Sequence, residues 1–142
     1  MQADARDEER VYRLAVALYL ATEATREKAR ELAIEADLTE PLLEVIWRLS
    51  EPKSMRTLAE ELKCDPTNVT FLADRLEQRH LVERQADSDD RRIRRLALTA
   101  RGRSLRNRLV GAIKNDSPLS KLDNREQREL ERLLERLLDD QA

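Results

Sequence analysis

Ser54-Met55-Arg56-Thr57-Leu58-Ala59-Glu60-Glu61-Leu62-Lys63-Cys64-Asp65-Pro66-Thr67-Asn68-Val69-Thr70-Phe71-Leu72-Ala73-Asp74-Arg75-Leu76 contains two short amphipathic helices in succession. Ser54 is of the residue type that caps a helix N-terminus. Met55, Leu58, Ala59 and Leu62 then fall on one helical face. Lys63-Cys64 make a tight corner. Asp65 can cap a second helix, and Pro66 takes its first position, where a missing N–H costs nothing. In that helix Val69, Leu72, Ala73 and Leu76 form the apolar stripe, while Thr67, Asn68, Thr70, Phe71 and Arg75 share the opposite face.

Two short helices joined by a tight turn are the helix-turn-helix layout, whose second helix enters a DNA major groove. Short polar side chains suit that face, because they reach base edges or phosphates without holding the helix away. The candidate DNA contacts are therefore Ser54 on the first helix and Thr67, Asn68, Thr70, Phe71 and Arg75 on the second.

Beyond the second helix, Leu81–Ala86 and Ile93–Leu98 each show partial alternation, separated by Asp87-Ser88-Asp89-Asp90-Arg91-Arg92. This pattern predicts a β-hairpin with a long charged tip, a wing. Asp90-x-Arg92-x-x-x-Leu96-x-Leu98-Thr99-x-x-Gly102 resembles the wing signature of the MarR family of regulators. Asp65-Pro66-Thr67-Asn68-Val69-Thr70 followed by Asp74-Arg75-Leu76-Glu77 resembles that family's recognition helix.

The resemblance implies a winged helix-turn-helix, mostly α with a small hairpin, that serves as a homodimeric transcriptional repressor on a pseudo-palindromic operator in double-stranded DNA. It implies that Arg92 is a minor-groove finger oriented by Asp90, with Arg91 and Arg94 beside it. It also implies a pocket for a small aromatic or lipophilic effector, lined by Tyr19, Trp47, Arg106 and Leu109. Three positions depart from the family pattern. Phe71 replaces a small, polar or basic residue, Asp89 puts an acid at the wing tip, and His80 ends the recognition helix where glycine is usual. A positive φ is expected at His80.

The rest of the chain fits this frame. Residues from about Asp7 to Ala36 read as a long first helix with Val11, Leu14, Leu18, Thr22, Thr25, Ala29, Leu32 and Ala36 at helical spacing. Thr39 is expected to cap a helix through Leu49, stopped by Glu51-Pro52-Lys53. Thr99 caps a helix to about Asn115. Asp123 and Glu126 form a capping box before a last helix carrying Leu130, Leu133, Leu134, Leu137 and Leu138. Such a ridge must pack on something. The expected organisation is one domain over 1–142, with a winged lobe at about 39–99 and dimerisation helices at about 7–36 and 100–140.

Composition narrows the function classes. Charged residues make up 39% and aromatics 3% of 142 residues, which describes a helical protein rather than a sheet protein. Lys53 to Arg108 holds 14 basic and 9 acidic residues, leaving 13 and 20 elsewhere. Basic charge gathered on one segment is the footprint of a phosphate-binding surface. No apolar run is long enough to span a membrane, no secretory signal is evident, and the single cysteine fits a reducing cytoplasm. One His and one Cys build no convincing zinc site, and no catalytic spacing or phosphate-cradling loop is seen, so no enzyme, metal or cofactor is expected. Two alternatives stay open: a winged-helix protein-interaction module without DNA binding, and a redox-responsive regulator acting through Cys64.

Overall fold

The computed structural model describes residues 2–139 and is mostly helical with one small antiparallel sheet. The elements run α1 (Gln2–Glu35), α2 (Glu40–Arg48), β1 (Lys53–Ser54), α3 (Met55–Leu62), α4 (Pro66–Gln78), β2 (Val82–Ala86), β3 (Arg94–Leu98), α5 (Ala100–Asp116) and α6 (Asn124–Asp139). Two compact units emerge. One is continuous from Ala29 to Gly111; the other joins the segment up to Lys28 with the segment from Ala112 onward.

The continuous unit carries the core. Every buried apolar side chain among the described residues lies between Leu32 and Leu109, with Val45, Ile46, Leu58, Val69, Leu76 and Leu96 sealed from solvent. The two apolar faces expected of α3 and α4 meet through Leu58 and Ala59 on one side and Val69, Leu72, Ala73 and Leu76 on the other. Ala59 is small enough to let the helices approach.

The hairpin of β2 and β3 pairs Val82 with Leu98 and Ala86 with Arg94. β1 adds a third strand that the sequence pattern did not suggest, placing Lys53 opposite Leu96 and Ser54 opposite Arg95 in the order β1-β3-β2. Two residues carry no readable periodicity. The strand exists because the start of α3 is held against an unsatisfied edge of β3.

Most caps match expectation, and two do not. Ser54 Oγ accepts the amide of Thr57 at 3.0 Å. Asp123 and Glu126 exchange backbone-to-carboxylate bonds of 2.8 and 2.9 Å. Thr99 Oγ1 accepts the amide of Gly102 and donates to the His80 carbonyl. Thr39 and Asp65 have the extended backbone of a cap but make no side-chain cap bond. A proline in the first turn removes one donor at each site (Pro41 and Pro66), and the carbonyls of Thr39 and Asp65 begin the helical ladder. α1 starts at Gln2, several residues before the expected Asp7. Its opening turns are charged rather than apolar, and ion pairs such as Asp7 to Arg10 at 3.1 Å support them.

Three corners take a left-handed backbone, one of them at Asp37 between α1 and α2, with φ 54°. His80 has φ 59°, as expected at the end of α4, and Lys63 has φ 51° between α3 and α4. The Cys64 amide closes that last corner by donating to the Ala59 carbonyl at 3.1 Å. Gly102 is required for a different reason. A Cβ there would stand 2.0 Å from the Leu81 carbonyl oxygen, so the first turn of α5 can cross that backbone only without a side chain.

The terminal unit is built differently. Thr22 and Thr25 turn their hydroxyls back onto the Leu18 and Ala21 carbonyls, which lets them sit in an apolar stripe. A 3-10 turn at Pro118–Lys121 precedes α6, capped by Ser117 and braced by Gln127 Nε2 on the Leu119 and Leu122 carbonyls. Val11, Leu14, Leu18, Leu133, Leu137 and Leu138 all stand exposed.

Candidate nucleic-acid interface

α4 places its polar side chains by helical spacing alone. With Val69, Leu72, Ala73 and Leu76 turned inward, Thr67, Asn68, Thr70, Phe71 and Arg75 are all exposed. Their chemistry is not equal. Thr70 Oγ1 donates to the Pro66 carbonyl at 3.1 Å, so its proton is already engaged. Phe71 stands 54% exposed. The Arg75 guanidinium lies 5.5 Å from its ring centroid, within cation–π range. Ser54 is half-buried; its hydroxyl accepts the Thr57 amide and donates to Thr57 Oγ1 at 2.9 Å, both in service of the α3 cap.

The wing tip is ordered by its own carboxylates. Asp87 Oδ1 accepts the Asp89 amide at 2.9 Å, and its other oxygen pairs with Arg95 Nε at 3.1 Å. That backbone bond, reinforced by Arg95, holds the Asp87 carboxyl below its ordinary range. Asp90 Oδ1 accepts both the amide and Nε of Arg92, at 3.0 and 3.3 Å, while Oδ2 accepts Nη2 at 3.5 Å. Arg92 is still 92% exposed, so the carboxylate aims the guanidinium without covering it. Arg91 and Arg94 are exposed and have no ion-pair partner among the described residues.

One member of the site was missed at the level of sequence. Arg84, midway along β2, reaches back to α4, where Nη2 donates to Asp74 Oδ1 at 2.6 Å and Nη1 donates to Glu77. The Asp74 bond, aided by Glu77 and opposed by partial burial, raises the guanidinium above its already high range. The fork clamps wing to recognition helix and neutralises both acidic residues of α4. A signal was present: two acids three residues apart on one helix face, with an arginine alone in the first wing strand.

The remaining basic side chains of this unit serve mainly structural ends. Lys53 pairs with Glu61 at 2.9 Å and Arg79 with Asp37 at 3.3 Å, while Arg103 donates to the Leu98 carbonyl. Among the described residues, Arg75 on the outer face of α4 and Arg91 and Arg94 at the wing have no carboxylate partner, as is also true of Lys63, Arg101, Arg103 and Arg106 elsewhere in this unit.

The residues expected around an effector are only partly brought together. Arg106 Nε donates to the Trp47 carbonyl at 3.0 Å, Trp47 is partly exposed, and Leu109 is sealed at 2%. Tyr19 belongs to the terminal unit, whereas the other three belong to the continuous one. Arg106 also lines a cavity of about 300 Å³ with Leu49, Glu51, Glu83, Leu98 and Arg103. Cys64 is a half-buried free thiol at the corner between α3 and α4. No group of three or more potential metal ligands occurs among the described residues, and no described helix is long and apolar enough to cross a membrane.

Comparison with known proteins bears on this arrangement. The MarR family model matches residues 38–93, which hold α2 through β2 and the wing tip and stop short of β3. The HTH-type transcriptional repressor MdtR of Bacillus subtilis (strain 168) is 44% identical over 45 residues, a stretch covering 32% of this chain and 29% of that repressor. The match thus spans under a third of its length. Similarity in structure reaches further along the chain. The transcriptional regulator BldR from Sulfolobus solfataricus superposes with a TM-score of 0.63 at 27% identity, over 91% of this chain and 96% of that one. A MarR family protein from Bacillus stearothermophilus gives a TM-score of 0.74 at 21% identity, over 94% and 96%, a likeness of fold.

Proposed function

Because the chain belongs to the MarR family, we propose that it is a homodimeric, sequence-specific DNA-binding regulator, acting as a repressor on a pseudo-palindromic operator. The observation that carries this reading is the sorting of charge in the winged unit. Arg84, Arg95, Lys53 and Arg79 are tied to carboxylates. Arg75, Arg91 and Arg94 are not, and Arg92 is held by Asp90 yet almost wholly exposed. An unneutralised cation on a groove-sized helix, two more on the hairpin and the exposed Arg92 beside them fit a major groove flanked by phosphates and a neighbouring minor groove. A protein-interaction surface has no need for that separation.

In this mechanism α4 presents Asn68 and its neighbours to base edges while Arg91 and Arg94 take phosphates. Arg92 enters the minor groove, with Asp90 fixing its rotamer in advance and so lowering the entropy cost of binding. A dimer places two such lobes on half-sites one helical turn apart, so anything that changes their separation costs both half-sites together. Control by a small aromatic or lipophilic ligand would act through that separation and needs a coupling of about 1–3 kcal/mol. Partly exposed Trp47, beside Arg106, supports placing such a ligand near α2 and α5.

The test starts with duplexes selected by the protein from a random pool, followed by fluorescence anisotropy across salt concentrations. Affinity should fall steeply with salt. Arg92→Ala should cost about 1–3 kcal/mol and flatten the salt slope by about one unit per half-site. Unchanged affinity in Arg92→Ala would remove the wing from the interface, and salt-independent binding would remove the reading altogether. Salicylate-like acids and phenols titrated into the same complex test the ligand, with loosening of the complex as the expected result.

A further inference from the structure

We propose that Phe71 is a specificity-determining residue of α4, selecting a thymine through its C5-methyl group; this rests on the DNA-binding function proposed above. Phe71 is the one phenylalanine of the chain. The other large apolar residues of α4, Val69, Leu72 and Leu76, are buried, while Phe71 stands 54% exposed on the opposite face. That exposure buys the isolated protein nothing, because the ring forgoes the stabilisation that burial would bring.

Its neighbours define what it can meet. Thr67, Phe71 and Arg75 follow one another at four-residue steps, so they share a line along the outer face of the helix. The Arg75 guanidinium rests 5.5 Å from the ring centroid. Asp74 and Glu77, the two acidic residues of α4, could have drawn Arg75 away, but Arg84 engages both. The outer face therefore offers an apolar ring beside a positive charge with no carboxylate bound to it. Thr70, next along the face, has its hydroxyl proton committed to the Pro66 carbonyl, which leaves it only as an acceptor.

In a major groove one base-edge group matches an aromatic ring. Guanine, adenine and cytosine present donors and acceptors there, and thymine alone adds a methyl group. A ring placed against a polar edge would desolvate it without returning a hydrogen bond, so the same contact that favours thymine penalises the other bases. Phe71 thus selects by attraction to one base and by cost at the other three.

The decisive experiment removes only the methyl group. An operator selected from a random duplex pool is resynthesised with deoxyuridine replacing thymine at one position of each half-site in turn. For the wild-type protein one symmetric pair of positions should weaken binding about three- to tenfold, the worth of a buried methyl. Phe71→Ala should bind the thymine and uracil duplexes equally, while keeping its melting temperature and its salt dependence. Cytosine at that pair should bind poorly, and 5-methylcytosine should recover part of the loss in the wild-type protein alone. Indifference of the wild-type protein to uracil at every position, on an operator it binds, would overturn the assignment and leave the DNA-binding function standing. A uracil penalty that persisted in Phe71→Ala would overturn it equally. If no DNA were selected at all, both readings would fall together.

Discussion

The two units of this chain use the same kind of side chain in opposite ways. Between Ala29 and Gly111, leucine, isoleucine and valine are mostly enclosed, down to complete burial at Ile46, Leu58, Leu76 and Leu96, with Ile34, Ile93 and Val110 the exposed exceptions. Toward the termini, Val11, Leu14, Leu18, Leu133, Leu137 and Leu138 recur at equally regular helical spacing and remain in solvent. α1 passes from one condition to the other along its own length, since Leu32 and Ala33 are buried while Leu14 is 62% exposed. The winged unit closes a core of its own. A terminal unit with so much apolar surface left open calls for a partner, and in the proposed homodimer a second copy of the chain would supply the same face by twofold symmetry. Periodicity reports that a stripe is apolar, not whose surface covers it.

The sharpest way to break this comparison is to charge the terminal ridge. Leu133→Asp with Leu137→Asp should dissociate the proposed dimer, with a loss of about 4 kcal/mol or more, because each change is felt twice across a symmetric interface. Light scattering should then return a mass near the 16.6 kDa of one chain. The winged unit should keep its fold by amide exchange. A dimer that survived both changes would show that the exposed ridge is not an interface.

A comparable insult to the winged unit should act within one chain. Gly102→Ala drives a methyl into the Leu81 carbonyl and should cost about 3 kcal/mol of stability, independent of protein concentration. Urea unfolding at two concentrations a hundredfold apart separates the two behaviours. Only wild-type stability carried by association should move with concentration. If the Gly102→Ala loss itself scaled with concentration, the two units would not be independent in the way proposed.

Smaller effects sharpen the picture inside the winged unit. Lys63 is held at φ 51°, where glycine is relaxed, so Lys63→Gly should raise stability by about 1 kcal/mol. A fall in stability would mean that the Lys63 side chain contributes more to the corner than its backbone costs.

The smallest predicted change concerns acid. The Asp87 carboxyl titrates below its ordinary range when folded, so its contribution is complete above the unfolded carboxylate value of about 3.9 and fades as pH falls through the folded one. Protection of the Asp89 amide, its exchange relative to the intrinsic rate at each pH, should therefore fall below about pH 4, and Asp87→Asn should abolish that dependence. Protection insensitive to pH in the wild-type protein would mean that the bond to the Asp89 amide does not order the tip.

Much of the architecture was legible in residue spacing. The faces of α3 and α4, the cap at Ser54, the capping box at Asp123 and Glu126, the hairpin and the positive φ at His80 all follow from local preferences, which need only near neighbours in the chain. The outward set Thr67, Asn68, Thr70, Phe71 and Arg75 was readable for the same reason, because a helix with one apolar stripe has one place left for the rest. The grip of Asp90 on Arg92 spans two residues and was within reach of resemblance.

Tertiary structure decided what depends on groups distant in sequence. The strand at Lys53–Ser54 exists only against β3, more than forty residues on. Whether an arginine on the wing faces solvent or α4 was settled for Arg84 by the geometry that brings Asp74 and Glu77 within its fork. The need for glycine at position 102 comes from the Leu81 carbonyl rather than from its own φ. A cap, a turn or a stripe is specified by interactions a few residues apart, which the chain writes directly into its order. A strand edge, a clamp or a close approach is specified by which remote surfaces meet, and that is known only once the core has closed.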